Sequence, residues 1–126
     1  MPEHSKPIQF RSGAAVLHIG NPTTTISFYR DTLGFSVEYD DGYYTVLQRN
    51  DCRVDLVNDD QTISGVHLFI LLDNVDAYFK EVVERDAVVL REPNDMPYGL
   101  REFSLRDPDG IEVIFGEELR ERKDDA

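Results

Sequence analysis

A single cysteine, Cys52, stands in a chain of 126 residues, so no internal disulfide can form. That usage fits a reducing compartment, and the expected location is the cytoplasm. Cys52 opens a strand-like run and reads as a packing residue rather than a nucleophile. Long apolar runs are equally scarce. None approaches the roughly 20 residues that a membrane-crossing helix needs, so no membrane partner is expected. The opening MPEHSKPIQF has no apolar stretch of the kind a secretion signal carries. Basic residues are few as well: 13 against 25 acidic ones, a formal net charge of −12. Nucleic-acid binding draws on Lys and Arg to neutralise phosphates, and this balance argues against a nucleic-acid partner. It suits a cationic ligand, or solubility alone. There is no Gly-rich phosphate loop, no zinc-finger spacing and no Gly-x-Ser-x-Gly elbow.

What is present is enough for a folded core. The chain is 40% hydrophobic, with seven phenylalanines and six tyrosines, and its length suits one domain or two half-domains sharing a core. Residues 14–19 read as a strand ending at Gly20. Asn21 then caps a helix over 22–33 that has Pro22 at its first position, Ile26, Tyr29 and Leu33 on one face, and Gly34 to close it. Strands over 35–40, 43–49 and 52–57 follow, joined by the short turns Asp41-Gly42 and Asn50-Asp51. The order then repeats: a strand over 65–72, a helix capped by Asp73 or Asn74 and running to about Arg85, a short strand over 87–90, a loop over 91–98, and a closing hairpin. In that hairpin Asp107-Pro108-Asp109-Gly110 is the turn, with Asp109 free to hydrogen-bond to the nearby backbone. Glu112 and Ile114 fall on the face opposite Ile111 and Val113. A 53-residue shift lays Val16 on Phe69, Ile26 on Phe79 and Phe35 on Val88, apolar on apolar. The predicted class is α+β: two βαβββ modules with mainly antiparallel sheets, in a single domain over 1–126. Module one covers about 8–60 and module two about 61–118, with a polar tail over 119–126.

Three runs, ISFYRDTLGFSVEY (26–39), DNVDAYFKEV (73–82) and PYGLREFSLRDPDGIEVIFGEE (97–118), resemble the vicinal-oxygen-chelate superfamily of glyoxalases, extradiol dioxygenases, and fosfomycin- and bleomycin-resistance proteins. The last run is most similar to the bleomycin-resistance type. The resemblance implies curved sheets forming a cleft, usually completed by a homodimer. It also implies up to four metal-ligand positions, on the first and last strand of each module, filled by His, Glu or Gln in the enzymes. A metal there would polarise substrate oxygens or activate water.

In this sequence those positions fall on Ala14, Asp55, His67 and Ile114. Alanine and isoleucine cannot coordinate, so a metal, if present, would rest on His67 and Asp55. Glu112 lies two residues before Ile114, about 7 Å back along the strand. Each candidate has a plainer role. Asp55 alternates with Val54 and Leu56 and could face solvent, and His67 could be a hydrogen-bonded histidine lining a pocket. His18 shares the parity of Ala14 and reads as a strand-end residue, while His4 belongs to the N-terminal tail. A tight site needs three or four protein ligands, so no cofactor is expected.

Without a metal, binding would rest on aromatic surfaces and charge. Tyr98 stands where the resemblance places an aromatic that stacks on the drug. One of Tyr43 and Tyr44 faces the cleft, and parity does not say which. Arg101 and Glu102 lie on opposite faces of one strand, and Arg101 in the cleft would favour a carboxylate or phosphate instead. The expected function is therefore metal-independent binding of a small, cationic aromatic ligand through Tyr98, Tyr44, Arg101, His67 and Asp55. The alternative is a divergent metal-dependent lyase or dioxygenase.

Overall fold

The computed structural model describes residues 7–59 and 66–119. The first module begins with β1 (Ala15–Ile19), in which Leu17 and Ile19 turn inward and are buried while Val16 and His18 face the other way. Asn21 then accepts from the Thr24 N–H at 3.2 Å, and Pro22 opens α1 (Pro22–Ser27), where its missing N–H leaves no donor stranded. The helix expected over 22–33 changes pitch part-way. Residues Phe28–Thr32 form a wider π-helical turn, closed by the Leu33 N–H on the Phe28 carbonyl at 3.1 Å. Tyr29 and Leu33, four apart, are both fully buried there. Gly34 leaves the turn at φ +84°, and a Cβ at this position would collide with the Arg49 guanidinium.

Three strands complete the module: β2 (Ser36–Asp40), β3 (Tyr44–Arg49) and β4 (Cys52–Asn58). The second module repeats the order with β5 (His67–Leu71), α2 (Val75–Glu84), β6 (Val88–Asp95), β7 (Leu100–Arg106) and β8 (Glu112–Glu118). Asn74, not Asp73, is the cap of α2, accepting from the Ala77 N–H. The two sheets have the same order, β1-β4-β3-β2 and β5-β8-β7-β6. β1 runs parallel to β4 and β5 to β8, and the remaining pairs are antiparallel. This is the α+β architecture of two βαβββ modules. The expected tail from residue 120 onward, His4, and the expected module boundary at 60–61 lie outside the described residues.

One predicted loop is a strand. Residues 91–95 continue β6, with irregular register between Val89 and Arg91 and again between Arg91 and Asn94. β6 is the outer strand of its sheet, where Pro93 can sit without breaking a ladder. The bulges hide the strand from a reading that relies on strict alternation.

Each helix also reaches into the opposite module, which places the core between them. The Tyr29 hydroxyl, in the π turn that follows α1, donates to Asp107 Oδ2 at 2.9 Å, and Thr25 of α1 donates to Asp109. From the other side, the Tyr78 hydroxyl of α2 and Arg49 Nη1 both donate to the Leu33 carbonyl at 2.7 Å. Arg49 also lies over the Tyr78 ring, 5.3 Å from its centroid. Tyr78, Phe79, Phe103 and Phe115 form an aromatic cluster at the centre of the second module.

The hairpin turn divides its labour differently from expectation. Asp107, not Asp109, serves the local backbone, with its Oδ1 accepting from the Asp109 and Ile111 N–H groups at 2.8 and 2.9 Å. The Asp109 carboxylate points across the modules to Thr25 and the Gly20 N–H. Asp107 is the buried member of the pair, so its oxygens are the ones that need local donors.

Candidate functional site

Strand alternation gives each sheet one face against the core and one facing away from it. On the first sheet the outer face carries Val16 and His18 from β1, Arg53, Asp55 and Val57 from β4, and Tyr44 and Val46 from β3. Asp55 does not face solvent: it is 2% exposed. Its two oxygens are held by Arg53, through Nε at 2.8 Å and Nη2 at 3.0 Å, and the Tyr44 hydroxyl donates to Oδ2. The Arg53 guanidinium holds the Asp55 carboxyl below its usual range, and the same carboxylate pushes the Tyr44 hydroxyl up. Tyr44 is therefore the tyrosine on this face, and Tyr43 is exposed at the turn. His18 Nδ1 lies 2.7 Å from Asp59 Oδ2 at the strand end.

The second sheet presents His67, Phe69 and Leu71 from β5, Glu112, Ile114 and Gly116 from β8, and Glu102 and Ser104 from β7. Glu112 sits directly opposite His67 in the parallel register, with Oε1 3.1 Å from His67 Nδ1. Strand rise does separate Glu112 from Ile114, but His67 pairs across the ladder with Glu112, while Ile114 faces Phe69. Hydrogen bonding from Ser104, and then the charge of Arg91, keeps the Glu112 carboxyl below its usual range. Arg91 Nε lies 3.3 Å from Ser104 and 3.4 Å from Glu112. Tyr98 donates to Glu102 Oε1 at 3.0 Å. Burial and that carboxylate raise the Tyr98 hydroxyl.

Arg101 is on the reverse of β7, paired with Asp76 at the start of α2 and with Asp95. The structure thus brings Tyr44 to Asp55 on one sheet, and His67 and Tyr98 to one face of the other, with Arg101 turned away from both. No hydrogen bond among the described residues joins the two sets. Arg53, Phe69, Arg91, Glu102, Ser104 and Glu112 share these faces as well. Sequence parity already marks Glu102 and Ser104, which alternate with Phe103 and Leu105.

An open groove of about 740 Å³ runs along β5 and adjoins the outer face of the second sheet, lined in part by Phe35, Arg49, Cys52, Phe69, Leu71 and Tyr78. Cys52 packs half-buried against the core, and burial pushes its thiol up, away from nucleophilic character.

With two βαβββ modules and these faces in view, similarity to known proteins becomes interpretable. The model of the Glyoxalase/Bleomycin resistance protein/Dioxygenase superfamily matches residues 11–115. The chain belongs to this superfamily. Among solved structures, a bleomycin-binding protein from the bleomycin-producing Streptomyces verticillus, in complex with copper(II)-bleomycin, is 26% identical. It superposes with a TM-score of 0.75 over 86% of this chain and 97% of that one. The bleomycin resistance determinant encoded on transposon Tn5 is 18% identical with a TM-score of 0.79, over 88% of this chain and 100% of that one. TioX from Micromonospora sp. ML1 is 18% identical with a TM-score of 0.76, over 87% and 100%. The last two likenesses concern the fold alone. No curated protein matches the sequence.

The metal site that the superfamily's enzymes imply does not fit the residues here. Among the described residues no three His, Cys, Asp or Glu side chains converge as a metal-binding group. Asp55 is already bound bidentately by a guanidinium, Ile114 is apolar, and Ala14 precedes β1. His67 and Glu112 supply two donors, short of the three or four a tight site uses.

Proposed function

We propose that this protein is a metal-independent small-molecule binding protein of the bleomycin-resistance type, sequestering a small, cationic aromatic ligand. One observation carries the reading: at Asp55 the Arg53 guanidinium stands where a metal ion would have to bind. The likeness to a bleomycin-binding protein at 26% identity supports it, as does the net charge of −12. The ligand lies on the outer sheet faces, with Tyr98 and Tyr44 as ring surfaces and His67 and Asp55 among the polar groups. A second copy of the chain completes the cleft. Among the described residues β1 and β5 are each the edge strand of their sheet, and Val16, Phe69 and Leu71 along them are about half exposed. Among the described residues no helix is long and apolar enough to cross a membrane, and the protein acts in the cytoplasm.

The test is calorimetric titration with bleomycin and copper(II)-bleomycin, in buffer with and without a chelator, beside elemental analysis of the untagged protein. Saturable binding of metal-free bleomycin that a chelator leaves unchanged is expected, with no stoichiometric metal retained. One tightly held divalent ion per chain would overturn the reading.

A second reading, a divergent metal-dependent lyase or dioxygenase, is favoured by the His67–Glu112 pair. It requires that His67→Ala abolish both metal uptake and turnover. Metal uptake unchanged by that substitution would refute it.

A further inference from the structure

Glu102 is 6% exposed, yet among the described residues no Lys, Arg or His is paired with it. Its hydrogen-bond partner is a neutral one, the Tyr98 hydroxyl on Oε1, and among the described residues nothing is bonded to Oε2. The neighbouring cations are committed elsewhere. Arg101 points to the opposite face of β7 and is paired with Asp76 and Asp95, and Arg91 is bonded to Ser104 and Glu112. Buried carboxylates are ordinarily paired, because removing the charge from water is costly.

The surroundings of Glu102 fit an external partner. Gly116 is its neighbour in the β7–β8 register, and the missing side chain there makes room for the Phe69 ring. A Cβ built on Gly116 would lie 2.9 Å from Phe69 Cζ and 3.6 Å from Glu102 Cγ. The Phe69 ring tip and the Glu102 stem therefore meet over the same glycine. Phe69 is 46% exposed and Tyr98 is 61% exposed, so a large part of each side chain is open to an incoming group. An exposed aromatic on either side of an unneutralised carboxylate is an arrangement that recognises organic cations, through cation–π attraction and a charge-assisted hydrogen bond.

We propose that Glu102, with the exposed rings of Phe69 and Tyr98 beside it, seats a planar organic cation of the amidinium or guanidinium class. Planarity lets the cation lie against the Phe69 ring while its N–H groups reach the carboxylate. An alkali ion has neither the flat face to stack on the rings nor N–H groups to donate to the carboxylate, and an anion would be repelled by it. The assignment rests on the binding-protein reading above and names the chemical group it would take. Glu102 and Phe69 then determine specificity, and Gly116 is a positioning residue that lets the ring lie down.

The experiment uses two probes of nearly equal shape, benzamidine, which is cationic at pH 7, and neutral benzamide, titrated by NMR against the full chain. Benzamidine is expected to bind roughly tenfold more tightly than benzamide, the scale of a hydrogen bond to a charged group. Glu102→Gln keeps an acceptor for Tyr98 and is expected to remove that preference, bringing the two affinities together. Gly116→Ala displaces the half-exposed Phe69 ring and is expected to weaken both probes while preserving the preference. Equal binding of the two probes to the wild-type protein, or a preference that survives Glu102→Gln, would overturn the proposal. Bleomycin binding without any amidine preference would reject the cation seat and leave the binding-protein reading intact. Amidine preference without bleomycin binding would do the reverse.

Discussion

The contact between the Tyr29 hydroxyl and Asp107 joins the first helix to the turn of the last hairpin, and Tyr29→Phe isolates it. Tyr29 is fully buried, its ring edge-on to Phe28 and Phe35, and phenylalanine keeps that packing. What is lost is one hydrogen bond of 2.9 Å to a buried carboxylate. A hydrogen bond to a charged group contributes about 1.5–3 kcal/mol, and removing the donor strands Oδ2 away from water. For a chain of this length ~2 kcal/mol corresponds to a fall of roughly 7 °C in melting temperature.

The pH dependence of the loss is a second signature. Burial raises the Asp107 carboxyl above its usual range, against the opposing pull of the Ile111 amide and Tyr29. A raised carboxyl contributes stability that is fully present below the unfolded value and is lost as pH rises through the folded one. Tyr29 counteracts that loss, because its donation favours the ionised form. The cost of Tyr29→Phe is therefore greatest at neutral pH, where Asp107 is charged, and shrinks as pH falls through the folded value. Thermal melts followed by circular dichroism at several pH values, paired with urea unfolding, measure both effects. A loss under ~0.5 kcal/mol at pH 7, or one that grows on acidification, would refute this account of how the modules are fastened.

Two further outcomes test the local geometry. Gly34→Ala forces a side chain into φ +84° and against the Arg49 guanidinium, which holds the Leu33 carbonyl. A loss of about 2–3 kcal/mol in urea unfolding is expected, and a change below ~0.5 kcal/mol would show that the turn relaxes freely. Asp55→Asn removes a carboxyl that Arg53 holds below its usual range, a group whose contribution is present above the unfolded value and lost as pH falls through the folded one. The variant should melt lower than wild type at pH 7, with a deficit that shrinks as pH falls below the ordinary carboxylate range; a deficit that does not shrink on acidification would count against the Arg53 pairing.

The fold was legible because its punctuation is local. Asn21-Pro22, Asn74, Gly34, Gly42 and Gly110 each announce a cap or a turn through their own side chain or its absence, and alternation sorted Leu17 and Ile19 from Val16 and His18. Two features resisted for physical reasons. The π turn over Phe28–Thr32 has no propensity signature of its own, since it depends on partners such as Asp107 that lie far along the chain. The continuation of β6 over 91–95 was concealed by bulges around Arg91 and by Pro93. In the candidate site, single positions were readable but partnerships were not. Asp55 stands two residues from Arg53, a spacing that fits a same-face ion pair as well as an empty ligand position. Only the distances show the pair. The pairing of His67 with Glu112 likewise follows from the parallel β5–β8 register, which a sequence does not state.

That register also shows how the two repeated halves differ. Val16 faces Asp55 on the first sheet, and Phe69 faces Ile114 at the equivalent place on the second. One module thus carries an internally neutralised charge network of Tyr44, Asp55 and Arg53, with its cation built in. The other carries the Phe69 ring over Gly116, the paired Glu112, and Glu102, which among the described residues is bonded to the neutral Tyr98 hydroxyl. If the sheets were equivalent surfaces, either could bind alone and a ligand would meet two like sites per chain. On the proposed binding reading, their difference would give a ligand one charged end to reach and one internally paired wall to lean on. A cleft that uses both faces would orient an elongated, singly charged molecule, with its cation at Glu102 and its neutral end toward Tyr44. Asp55→Asn should accordingly change affinity for a long ligand while leaving benzamidine binding untouched. Equal effects on the two would mean that both faces contact the cationic end, and the division of roles would fail.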